Sequence, residues 1–141
     1  MAVAANIGAM NMHLDGKVYP PYLLRPDRAL AAKMAAGQGL AVPAEVPPTY
    51  FIFLRGETRG VDLFKDLDIP RTKALHAGQR YEWFAPVGWD DEVEVTARIA
   101  KLAAKEGKGG KLWFADIEYE YRVLPARTLA LREITRLVKR G

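Results

Sequence analysis

Between Glu92 and Ile99 apolar and polar residues alternate without a break. Val93, Val95, Ala97 and Ile99 fall on one side, and Glu92, Glu94, Thr96 and Arg98 on the other. A strict period of two predicts a half-buried strand. "KLWFADIEYEYRV" repeats the pattern, with Trp113, Ala115, Ile117, Tyr119 and Tyr121 set against Asp116, Glu118, Glu120 and Arg122. "QRYEWFAPV" sets Tyr81 and Trp83 against Arg80 and Glu82. "TLALREITRLVKR" is a last strand whose alternation slips near Arg132–Glu133, which predicts a bulge there. Turn-type stretches separate these strands: "GWDDE", the hairpin "KEGKGGK", and "PAR".

The N-terminal half reads differently. Val18 to Leu24 is extended but broken by Pro20 and Pro21, as an edge strand or a strand lead-in is. Pro26 suits a first helical position, and Asp27 suits the positive end of a helix dipole. Ala29 to Ala36 follows as a short helix, with Leu30 and Met34 on one face and Gly37 as its left-handed stop. "LAVPAEVPP" is a Pro-rich turn, and "TYFIFL", Thr49 to Leu54, is a continuous apolar run that reads as a buried strand. Val61, Phe64 and Leu67 have helical spacing and end before Pro70. One helix against a long antiparallel sheet is an α+β layout. Residues 1–15 read as a flexible tail and 16–141 as one domain, without internal repeats. The sheet's second face needs partial cover, so a dimer is expected.

Composition narrows the chemistry. A length of 141 residues fits one domain with one core. The absence of cysteine excludes a disulfide framework, a thiolate nucleophile and any cysteine-based metal site, and fits a reducing cytoplasm. The N-terminus lacks a basic region and a long apolar core, so neither a signal peptide nor a membrane helix is expected. The net charge of +4 suits an anionic ligand, but the basic residues are scattered and match no nucleic-acid motif. A basic scaffold or nucleic-acid-binding module stays as an alternative.

The order of elements is that of the hotdog fold, and particular segments carry a closer likeness. "YPPYLLRPDRALAAKMA", "VPPTYFIFL", "LHAGQRYEWFAPV" with "DDEVEVTARI", and "KEGKGGKLWFADIEYEYR" together resemble the MaoC-like dehydratases, above all their N-terminal-type subdomain. The resemblance covers residues 16–140 and rests on the order and spacing of these segments. It implies an acyl thioester of coenzyme A or acyl-carrier protein as ligand, with no separate cofactor. It also implies a place in an (R)-specific enoyl-CoA hydratase or 3-hydroxyacyl dehydratase assembly. Catalytic members carry an Asp and a His on the loop after the helix, in a segment like Asp-x-Asn-Pro-hydrophobic-His. A carboxylate and an imidazole there orient a water and move its proton near neutral pH. Here that loop reads "GQGLAVPAEVPP", with Glu45 as its only acid. No catalytic residue transfers. The resemblance therefore implies a subunit without its own Asp/His pair, joined to a hotdog that has one.

His76 is the remaining candidate base, with Glu45, Asp66 or Asp68 as helper. The plainer reading is a histidine at the start of a strand, hydrogen-bonded within the fold beside Gln79. The active alternative is a homodimeric hydratase using His76, or a thioesterase using Glu45 as base. His13 falls in the tail and is set aside. Trp83, Trp113, Tyr119 and Tyr121 suit either a core or an acyl channel. Tyr50, Arg55, Arg71, Lys73 and Trp83 are the ligand-binding candidates, the cations toward phosphate charges. The hairpin residues Lys105, Lys108 and Lys111 read as a solubilising turn, since "GKGG" lacks the spacing of a phosphate loop. No metal site is expected.

Overall fold

The alternating segments form a single antiparallel sheet in the computed structural model, which describes residues 10–42, 46 and 60–140. In chain order the elements are β1 (Tyr22–Leu24), α1 (Arg28–Gly37), α2 (Leu63–Asp66), β2 (Ala74–Trp83), β3 (Val93–Gly107), β4 (Gly110–Val123) and β5 (Thr128–Arg140). Strand order across the sheet is β1-β3-β4-β5-β2, antiparallel throughout. The α+β class expected from the pattern is the class observed. The expected strand Thr49–Leu54 lies outside the described residues.

The core face follows the alternation. Val93, Val95, Ala97 and Ile99 of β3 are buried, as are Trp113, Ala115, Ile117, Tyr119 and Tyr121 of β4. Each large apolar side chain of this kind contributes about 1.5–3 kcal/mol by leaving water. Leu67, fully buried beyond the end of α2, and Ala31 of α1 join the same core. α2 starts where Asp62 accepts a hydrogen bond from the Lys65 backbone at 3.2 Å.

Two expectations need correction. The irregularity in β5 is not at Arg132–Glu133. Tyr121 pairs with Leu131 and Arg122 with Leu129, so the extra residue is Ala130. Its carbonyl accepts from the Phe84 and Ala85 backbones at 2.8 and 3.2 Å. Beyond it the alternation is regular, and the apparent slip arises because Glu133 and Thr135 point into the core in phase with Leu131 and Leu137. The tail boundary also moves. Met10 is 3% exposed, Asn11 donates its backbone N–H to the Leu67 carbonyl, and Asp15 accepts from the Leu102 backbone.

The opposite face of the sheet needs no apolar cover. Arg98 of β3 meets Glu118 of β4 at 3.2 Å, and Arg136 of β5 forks onto Asp116 at 2.7 and 2.9 Å. Arg132 reaches both Glu120 and Glu82, which ties β4, β5 and β2 together. Such cross-strand pairs stabilise a hydrated face. β2 pairs with β5 on one side only among the described residues, and Leu75, Trp83 and Phe84 along it are exposed.

Candidate functional site

Two polar residues of β5, Glu133 and Thr135, turn inward beneath the edge strand β2. In register, Glu133 lies opposite Tyr81 and Thr135 opposite Gln79. The Glu133 carboxylate is fully buried. It accepts from the Tyr121 hydroxyl at 2.9 Å and from the Gln79 amide nitrogen. Gln79 accepts the Thr135 hydroxyl at 3.0 Å on its carbonyl oxygen. A buried carboxylate needs such donors to offset its lost hydration. Burial, followed by the Glu133 charge, holds the Tyr121 hydroxyl well above the ordinary tyrosine range, so it stays a donor.

His76 joins this network at its exposed end. Three positions separate His76 from Gln79, which in a regular strand puts them on opposite faces. The register of β2 shifts between His76 and Gly78, and the bulge at Ala77 restores them to one face. His76 Nε2 then lies 2.7 Å from the Gln79 carbonyl oxygen. Because the Gln79 nitrogen is committed to a carboxylate, its oxygen faces His76 as an acceptor. The network therefore assigns the proton to Nε2 and leaves Nδ1 as the basic nitrogen of the neutral ring.

Beside Thr135 lies a cavity of about 30 Å³, between α2 and the sheet, walled by Leu63, Phe64, Ile117, Tyr119 and Leu137. It holds roughly one water or methyl group. The Arg71 guanidinium, in the turn Arg71–Lys73, stacks on Phe64 at 4.2 Å from the ring centre. Lys139 is buried on the core face and donates to the Asp68 carbonyl.

Of the sequence candidates, Arg71 and Lys73 are exposed, and Arg71 touches this cavity's wall through Phe64. Trp83 is 39% exposed on the edge strand, whereas Trp113, Tyr119 and Tyr121 are buried. Tyr50, Arg55 and Glu45 lie outside the described residues. Asp66 accepts from the Tyr19 hydroxyl at 2.6 Å and pairs with Lys17 at 3.6 Å, and does not hydrogen-bond His76. Burial, then that bond to Asp66, pushes the Tyr19 hydroxyl above its usual range. Glu133, Thr135 and Lys139 were missed as site residues. Their only trace in the sequence is polar side chains standing in phase with apolar ones. Among the described residues no three metal-ligating side chains lie together, and no helix is long and apolar enough to cross a membrane.

Comparisons with known proteins agree with this architecture. The family described as "FAS1-like, dehydratase domain region" matches residues 29–123. No curated protein sequence matches the chain. Among solved structures, a chain of the C-terminally truncated HadBC (3R-hydroxyacyl-ACP dehydratase) complex from Mycobacterium tuberculosis is 16% identical, with TM-score 0.69 over 89% of this chain and 96% of that one. HtdX from the same organism is 24% identical, with TM-score 0.64, and the match covers 86% of this chain but 51% of that one. A MaoC-like dehydratase from Rhodospirillum rubrum is 14% identical, with TM-score 0.59 over 90% and 94% of the two chains. The shared fold is the hotdog.

Proposed function

We propose, from the premise that this chain belongs to the FAS1-like dehydratase-domain family, that it is an acyl-thioester-binding hotdog subunit. It works in an enoyl-thioester hydratase or 3-hydroxyacyl-thioester dehydratase assembly. The reaction adds water to a 2-enoyl thioester or removes it, which needs one group to take a proton from water and return one at C2. The observation that carries the subunit reading is the loop after α1. From Gln38 to Val46 it offers no histidine and no acid but Glu45, and elsewhere His76 is hydrogen-bonded to an amide rather than a carboxylate. A partner hotdog supplies the missing pair.

The edge strand β2 is the surface for that partner. Its outer edge makes no ladder among the described residues, and the paired charges on the sheet's open face favour side-by-side over face-to-face contact. HadBC is itself a complex, which supports a partnered subunit.

A second reading makes the chain active as a homodimer. It is favoured by the orientation of His76, whose Nδ1 is the basic nitrogen on an exposed edge. One experiment separates the two. Purified chain is mixed with crotonyl-CoA, and loss of the conjugated-thioester absorbance is followed. The expected result is binding of the non-reactive butyryl-CoA without turnover. Turnover that disappears in His76→Ala overturns the subunit reading in favour of the homodimer.

A further inference from the structure

The tip of the β3–β4 hairpin, the turn before β2 and the end of β5 meet at one end of the sheet. They enclose a groove of about 390 Å³ lined by Lys73, Lys108, Lys111 and Arg140, with the glycine backbone of residues 107, 109 and 110 as its floor. These cations come from three stretches of chain. The β3–β4 register runs out at Gly107 opposite Gly110, and β5 brings Arg140 opposite Leu112. Gly110 has a φ of +112°, which suits glycine, and a Cβ at Gly109 or Gly110 would meet nothing within 4 Å. The floor is therefore open backbone.

The charge here is uncompensated. No acid lines the groove, and none of its four cations makes an ion pair among the described residues. The nearest acid in register, Glu106, stands across the hairpin from Lys111 without pairing to it. Lys111 instead lies 5.7 Å from the Trp113 ring centre, which fixes its direction. The open face of the sheet is the contrast: its groove also holds arginines, but Arg98, Arg122 and Arg127 each meet a glutamate. A concave site with one sign of charge concentrates counter-ions of the other sign.

We infer that this groove binds phosphate groups, at least two carried close together on one small molecule. Three lysines and an arginine around open backbone suit clustered, dispersed negative charge better than a single carboxylate. The assignment to a coenzyme A thioester rests on the proposed function. Lys73, on the groove, stands two residues after Arg71, which stacks on Phe64. Coenzyme A carries its acyl group at one end and its phosphates at the other, and the groove takes the phosphate end.

The test is titration calorimetry on the full chain with sodium pyrophosphate, adenosine 3′,5′-bisphosphate, butyryl-CoA and butyryl-pantetheine. The variants are Lys108→Ala/Lys111→Ala and, as a charge-matched control, Arg98→Ala/Arg127→Ala. Thermal melts confirm that both fold. Both phosphate probes and butyryl-CoA are expected to bind, and to weaken with added salt. The lysine double variant loses about tenfold in affinity for each, and the control does not. Butyryl-pantetheine, which has no phosphate, binds both variants equally. Absent phosphate binding, or equal binding by the lysine variant, overturns the groove while butyryl-pantetheine still reports on the acyl site. Lost butyryl-pantetheine binding with phosphate binding intact overturns the acyl reading and keeps the groove. Butyryl-CoA binding no tighter than pyrophosphate overturns the assignment to the thioester.

Discussion

The Tyr121 hydroxyl donates to the Glu133 carboxylate at 2.9 Å, and neither side chain reaches solvent, at 1% and 0% exposure. The carboxylate is thus held by neutral donors, a tyrosine and the Gln79 amide, within the hydrophobic core. Removing one donor leaves a buried acceptor short of its partner. Tyr121→Phe is expected to lower the unfolding free energy by about 1–3 kcal/mol. Tyr121→Phe with Glu133→Leu is expected to cost less than the sum of the two changes, because the second removes the orphan left by the first. Urea denaturation of both single variants and the double variant checks this; simple additivity contradicts it.

His76 and Gln79 share one hydrogen bond but differ in burial. His76 is exposed, whereas Gln79 also holds Glu133 and Thr135. Gln79→Ala should destabilise by about 1–3 kcal/mol, and His76→Ala by about 0.5 kcal/mol or less. Equal losses in paired melts would mean that the ring, not the amide, organises the network.

Acid should weaken the fold through its ion-paired face. The hydrogen bonds from Arg136 hold the Asp116 carboxyl below the usual carboxylate range, outweighing burial. For Glu120 burial acts upward, but the hydrogen bond from Arg132 and the Arg122 charge bring it down overall. In both cases the unfolded chain binds protons more readily than the folded one. The contribution is complete above the unfolded values, about 4 to 4.5, and is lost as pH falls through the lower folded values. Asp116→Asn is expected to flatten the decline in unfolding free energy below about pH 4. An unchanged slope in denaturation series across that range argues against the pair.

Association through β2 predicts a specific sensitivity. Leu75 and Phe84 are 45% and 51% exposed at the two ends of the edge strand. Leu75→Glu with Phe84→Glu places charge on any strand or side chain that packs there. Sedimentation or light scattering should show loss of the associated species with the far-ultraviolet spectrum kept. The same changes at Arg98 and Arg127, on the ion-paired face, should leave association intact.

Much of this molecule is written locally. The period of two in β3 and β4 and the glycines and acids of the turns act within a few residues of themselves, so reading along the chain finds them, although the left-handed stop of α1 falls at Gly39, with a φ of +69°, and not at Gly37. Family membership was legible for the same reason, since it rests on short segments in order. What alternation cannot specify is which residues of separate strands face each other, because register is set by hydrogen bonds between distant stretches. The bulge at Ala77 that brings His76 to Gln79, the extra residue at Ala130, and the burial of Glu133 and Thr135 under β2 all depend on that register. So does the meeting of Lys73, Lys108, Lys111 and Arg140, which read in sequence as scattered surface charge. The chain's local chemistry determined the strands and their inward sides; only the folded sheet decided which polar groups would be neighbours.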